Sequence, residues 1–229
     1  MFQDNNGMLM GVDAMQTPVP AKVMTPHEWF LTLLNTAEMP QSVKERLRGA
    51  KDGSGQLKLR PFTYYSKVEI ANGAQTVEFF NENDSIARGV RNMEKAKVEE
   101  GRIFMIRSIR IRVGTNGGGT PAAFTAAKNA ELAQIIYKAI DKDNDFACLS
   151  AAELDLTLNS SFKLQELAVS NFETGGNNDV EEGEFVLDRP ILLYAQQVLN
   201  LTLKFGEATM NNVGVGRAIH LELKGVLAR

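Results

Sequence analysis

Residues 153–169, ELDLTLNSSFKLQELAV, carry the pattern on which the fold is read. Leu154, Leu156 and Leu158 alternate with Asp155 and Thr157, and a period of two places alternate side chains on opposite faces of a strand. Asn159, Ser160 and Ser161 make a short turn into a second strand, Phe162–Val169. The texture continues on either side. Val198–Phe205 sets Leu199, Leu201, Leu203 and Phe205 on one face. Arg217–Leu227 sets Ile219, Leu221 and Leu223 inward, with His220, Glu222 and Lys224 expected outward in solvent. Upstream, Arg102–Val113 reads as a long Ile-rich strand. Phe62–Ile70 and Gln75–Phe80 flank Asn72-Gly73, a strong hairpin signal. Residues 184–193 contain Pro190, which predicts an edge or bulged strand.

Helical signals are few. Thr25 can cap, Pro26 suits the first helical position, and Glu28 completes a capping box. Trp29, Phe30, Leu33 and Leu34 then form one apolar stripe, and a second short helix follows Pro40, with Val43 and Leu47 on one face. The run KDGSG at 51–55 breaks the chain. An Ala-rich stretch predicts a helix over 121–140 with Leu132, Ile135, Ile136 and Ala139 on one face. Eight strand candidates without a strand–helix–strand rhythm imply antiparallel pairing. The expectation is a mainly β fold: a single eight-stranded antiparallel jelly-roll sandwich, with N-terminal helices and one helical insertion. Residues 1–55 would be an arm and residues 56–229 the jelly-roll domain.

Composition narrows the function. The 229 residues carry a net charge of −3, which excludes a strongly basic nucleic-acid binder. One cysteine, Cys148, excludes an intrachain disulfide and a cysteine-based zinc cluster. The start, MFQDNNGMLMGVDAMQTPVP, has neither a basic opening nor a compact apolar run, so no signal peptide is expected; it reads as an extended arm. Two histidines, His27 and His220, leave little for a catalytic triad or a metal site, and both are expected to face solvent. No P-loop or dinucleotide fingerprint appears, and Gly214-Val215-Gly216 leads into a strand.

Asp141-Lys-Asp143-Asn-Asp145, with Glu153 downstream, looks like a calcium loop. The sixth position needs glycine and holds Phe146, and the twelfth needs glutamate and holds Ala152. A solvated acidic turn is the preferred reading, so no metal and no cofactor is expected. In strict alternation Arg110 and Arg112 share a face with Arg102, while Arg107 takes the other. That face could meet an acidic neighbour, anionic lipid or packaged nucleic acid, but with no aromatic interleaving for base stacking a solvated face with scattered ion pairs is the preferred reading.

The order of these signatures resembles jelly-roll capsid and other virion structural proteins of bacteriophages, in particular the tailless icosahedral, internal-membrane, finnlakevirus-like group. Residues 76–113 look like their aromatic strand, polar loop with Asn92-Met93 and Ile-rich strand. Residues 153–167 are similar to their central hairpin, 185–205 to a strand, proline bend and alternating strand, and 217–229 to a closing strand with a late glycine. The resemblance implies a non-enzymatic capsid subunit, resident in the virion after assembly in the host cytoplasm. Its partners would be copies of itself and other capsid proteins, with contact to the packaged genome or an internal membrane, and no small-molecule substrate. On the residues alone, the arm anchors Trp29, Phe30, Leu33 and Leu34 are expected to dock on a neighbouring subunit. The alternatives are a ligand-binding or receptor-binding module, or a calcium-dependent regulator.

Overall fold

The computed structural model describes residues 24–34, 40–49, 58–71, 73–117, 120–141, 149, 151–174, 183–195, 197–205 and 214–228. Among these residues the chain is mainly β, and the strands form two sheets, all pairings but one antiparallel. The first sheet holds β1 (Leu59–Glu69), β3 (Ile103–Thr115), β4 (Lys138–Asp141), β7 (Glu173–Thr174), β8 (Glu184–Tyr194) and β10 (Arg217–Ala228). Its order is β1-β10-β3-β4-β7, and β8 pairs with the other stretch of the same edge of β3. The second sheet runs β2 (Thr76–Glu78), β9 (Leu199–Lys204), β5 (Glu153–Leu158), β6 (Ser161–Ala168).

The alternating leucines explain why the sheets face each other. Leu154, Leu156 and Leu158 meet Leu199, Leu201 and Leu203 on one inner face. Phe104, Ile106, Ile109, Ile111, Ile219, Leu221 and Leu223 cover the other, and all are buried. Each such side chain contributes roughly 1.5–3 kcal/mol relative to exposure. The turn at Asn159 and Ser160 takes left-handed φ values of 48° and 64°, which set a tight hairpin and pair Leu158 with Ser161. β6 then slips against β5, and Asp155 holds the slip: its carboxylate accepts the Glu166 N–H at 2.7 Å and pairs with Lys204. Burial alone would raise the Asp155 pKa, but the Glu166 amide and the Lys204 ammonium outweigh it and hold it below its usual value.

Two expectations are corrected. Phe62–Ile70 and Gln75–Phe80 do not form a hairpin: β1 pairs with β10 and β2 with β9, so the chain passes Gly73 from one sheet to the other. Gly73 takes a left-handed φ of 77°, as a turn needs, but the long apolar faces of β9 and β10 take the strands. The helix expected over 121–140 shrinks to α3, Lys128–Gln134. Beyond it β4 pairs with Arg112 and Val113, burying Ile140, so tertiary pairing overrides alanine propensity. Ile136 is left exposed.

The long strand is not regular. Lys224 faces Ser108 while Gly225 faces Ile106, so Arg107 is an extra residue, a β-bulge. On the other side of β3, Val186 faces Ser108 while Ile191 faces Ile106, so Leu187–Pro190 loops out opposite the same arginine. Pro190 thus lies where proline was expected, in an edge strand with a bulge. The bulge reverses the inside–outside parity of β3: Phe104 and Ile106 point inward before it, Ile109, Ile111 and Val113 after it.

At the N-terminus, α1 (Pro26–Leu34) and α2 (Gln41–Gly49) form as expected. The capping box closes at both ends, with Glu28 N–H donating to Thr25 Oγ1 at 3.2 Å and Thr25 N–H to Glu28 Oε2 at 2.8 Å. Trp29, Phe30 and Val43 pack on the outer face of the first sheet, against Ile103, Met105, Val226 and Ala228. Of the arm anchors, Trp29 and Phe30 therefore seat on their own sandwich. The side chains of His27, Leu33, Leu34 and Leu47 lie outside the described residues, as do Cys148 and the run 51–55.

Candidate assembly surface

The outer face of the first sheet has three zones. α1 and α2 cover one end. α3 and the loop before β4 cover the other, where Leu132 packs on Val90 and Ala218 beside Ile135 and Tyr137. Between them runs a polar band. Ser108 and Lys224 both donate to the Glu184 carboxylate. Burial works to raise the Glu184 pKa, but the Lys224 and Ser108 hydrogen bonds win and lower it. Arg112 Nη2 pairs with Glu222 at 2.9 Å, and Arg110 stands 3.9 Å from the same carboxylate.

His220 lies at the centre of the band and is 8% exposed, which corrects the expectation that it faces solvent. It does sit on the outward face of β10. Tyr65 meets its ring edge-on at 5.9 Å and Tyr137 tilts over it at 5.1 Å, so segments remote in sequence cover it. Arg112 Nη2 lies 3.4 Å from Nδ1, where a neutral imidazole accepts its N–H. Burial first, then the charges of Arg112, Lys67 and Arg110, lower the His220 pKa to about 3.

The three arginines expected on one face are divided. Arg110 and Arg112 lie together in the band, engaged with Glu222. Arg102 pairs with Glu99 at 2.8 Å, and the bulge at Arg107 puts it out of phase with the other two. Strict alternation missed the bulge. Of the acidic run, Asp141 closes β4, and Asp143 and Asp145 lie outside the described residues.

The two open sides of the sandwich differ. Along β1 the edge is sealed: Asn92 Nδ2 donates to the Thr63 carbonyl at 2.8 Å, and the Tyr65 N–H donates to Asn92 Oδ1 at 2.8 Å. The Lys67 N–H donates to the Val90 carbonyl at 2.9 Å. A side chain here substitutes for a neighbouring strand, one way of blunting an edge. Asn92→Ala should therefore cost about 1–3 kcal/mol and leave the Tyr65 amide without its acceptor. Denaturant unfolding and sedimentation check this, and an unchanged midpoint with no added association would refute the sealing role.

On the opposite side, β8 and β6 end their sheets and leave a groove of about 610 Å³ between them. Leu164, Leu167, Phe185, Leu187 and Ile191 line it, with Lys163, Asp188 and Arg189 at its polar positions and Pro40 also in the lining. Beyond the groove, Phe162 and Val186 are 54% and 66% exposed. A smaller polar hollow of about 400 Å³ lies beside β2, lined by Glu78, Asn81, Asn83, Asn159 and Asn200 among others.

Among the described residues, no helix is long and apolar enough to cross a membrane. The chain matches no family model, no curated protein and no solved structure.

Proposed function

We propose that the chain is a structural virion protein, a capsid subunit that assembles with copies of itself into an icosahedral phage shell. The observation that carries the reading is the strand order. With the short β4 and β7 set aside, one sheet runs β1-β10-β3-β8 and the other β2-β9-β5-β6. Eight strands in which successive members alternate between the sheets, apart from the β5–β6 hairpin within one of them, support a single jelly roll, two Greek keys wrapped on one core. A fold alone carries no function, so the step to a shell is one of analogy. Phe162, Val186 and Ile136 are large apolar side chains left exposed, of the kind that contacts between subunits bury. In this reading the partners are further copies and other capsid proteins, the subunit resides in the virion, and it turns over no small molecule. The polar hollow beside β2 keeps a receptor-binding module of a virion as the second reading.

Light scattering and negative-stain imaging of the purified protein test the proposal. Regular particles or sheets are expected, and Phe162→Asp with Val186→Asp should reduce their yield tenfold or more while leaving the fold intact. A chain that stays monomeric at high concentration, or a double variant that assembles like the natural protein, would overturn it.

A further inference from the structure

The groove between β6 and β8 is apolar and open, whereas the far side of the sandwich is sealed by Asn92. Exposed apolar side chains stand at both of its walls. Phe162 adjoins Lys163 and Leu164 in the β6 wall, and Val186 sits between Phe185 and Leu187 in the β8 wall. An apolar hollow with apolar knobs beside it suits a two-fold contact between identical copies, since each copy then offers both halves of the fit. A regular added strand is resisted. β6 slips register twice against β5, and β8 loops out at Leu187–Pro190, so side chains rather than a ladder must make the contact.

We propose that a second copy of this chain docks on the groove, the two Leu187–Pro190 segments crossing antiparallel about a two-fold axis between Asp188 and Arg189. Charge selects both the occupant and its direction. Asp188 and Arg189 are adjacent and exposed in the loop-out, and among the described residues neither forms an ion pair. An edge charged with one sign repels every copy. With an acid beside a base, a parallel approach sets like charge against like. The antiparallel crossing instead sets Asp188 against the partner's Arg189 and Arg189 against the partner's Asp188, which fixes the register of the pair. The same crossing carries Val186 towards the partner's Ile191, a residue of the groove wall, so the exposed knob of each copy meets the hollow of the other.

The proposal rests on the reading that the chain assembles with itself, and it names the contact. Its test is a charge exchange, read by sedimentation of the full chain in dilute solution. The natural protein should form dimers or larger species built on them. Asp188→Arg and Arg189→Asp, each alone, should weaken self-association about tenfold or more, because like charges then meet across the axis. Mixed in equal amounts, the two variants should associate as tightly as the natural protein, since every contact in the mixed pair joins opposite charges. Asp188→Arg combined with Arg189→Asp in one chain should also recover, which removes net charge as the cause. Both positions are exposed, so unchanged denaturant midpoints report an intact fold. Single variants that associate like the natural protein, or a mixture that fails to recover, would overturn the contact while particle formation, imaged separately, still upheld the shell. Recovery without particles would uphold the contact and overturn the shell. A natural chain that stays monomeric overturns both.

Discussion

Gly225→Val is expected to lower stability by about 3–5 kcal/mol, enough to unfold most of a marginally stable domain. Gly225 stands opposite Ile106 where β3 bulges at Arg107, and opposite Phe62 on β1. A Cβ there would fall on the Met105 carbonyl oxygen, well inside contact distance, and 3.1 Å from the Phe104 ring. The oxygen belongs to backbone fixed between two neighbouring strands, so it cannot swing away as a side-chain tip would. Phe104 fills the space above the glycine and packs edge-on against Tyr64 at 4.9 Å and Phe62 at 6.3 Å. Forcing β10 and β3 apart at this point also disturbs Ser108, Glu184 and Lys224, which meet next to the bulge. Gly101→Asn is the control. Gly101 takes φ +79° with open space around it, and asparagine tolerates that conformation, so stability should change by less than about 0.5 kcal/mol. Denaturant midpoints check both, and a Gly225→Val protein that unfolds with the natural midpoint would refute the bulge packing described here.

The second large effect is a pH dependence centred on His220. Its folded pKa lies near 3, below the ordinary value of 6.5, so the unfolded chain binds the proton more readily. The stability it contributes is complete above about pH 6.5 and is lost progressively as pH falls towards 3. Each unit in that window costs about 1.4 kcal/mol. The charges facing the imidazole are Arg112, Lys67 and Arg110, with the Glu222 carboxylate 3.7 Å from Nε2 and the Tyr65 and Tyr137 rings on either side. His220→Gln should be less stable than the natural protein by about 1–2 kcal/mol at pH 7, because it loses ring packing. By pH 4 it should have regained about 3 kcal/mol on the natural protein, so the two stability curves cross. Comparing the two proteins cancels the carboxylates that titrate in both. Parallel curves from pH 7 to pH 4 would mean that His220 is not held neutral by its surroundings.

Local patterning made much of the fold legible. The alternation in Glu153–Leu158, Val198–Phe205 and Arg217–Leu227 named the inner faces of β5, β9 and β10 correctly, because in a strand the side-chain period is fixed by the backbone. The capping box at Thr25 and Glu28 and the turn at Asn159 and Ser160 were readable for the same reason: their chemistry is complete within a few residues. Other features lack that property. Gly73 marks a turn but not the partner, and β1 chose a strand about 160 residues away. An Ala-rich run favours helix until a neighbouring strand offers a ladder and a place to bury Ile140.

The candidate surface was legible in part. Arg110 and Arg112 do share a face, yet a single extra residue at Arg107 separates them from Arg102, and nothing local to GRIFMIRSIRIRVG marks where the ladder slips. His220 was rightly placed outward on β10, and wrongly left in water, because Tyr65 and Tyr137 arrive from other parts of the chain. The sequence by itself determined most of the strands and the apolar faces of β5, β9 and β10, since these follow from backbone geometry and side-chain transfer from water. Only the tertiary structure decided pairing, the parity change at the bulge, and which polar side chains leave solvent. Each of these depends on what a distant segment places above the sheet, and that contact exists only once the chain has closed.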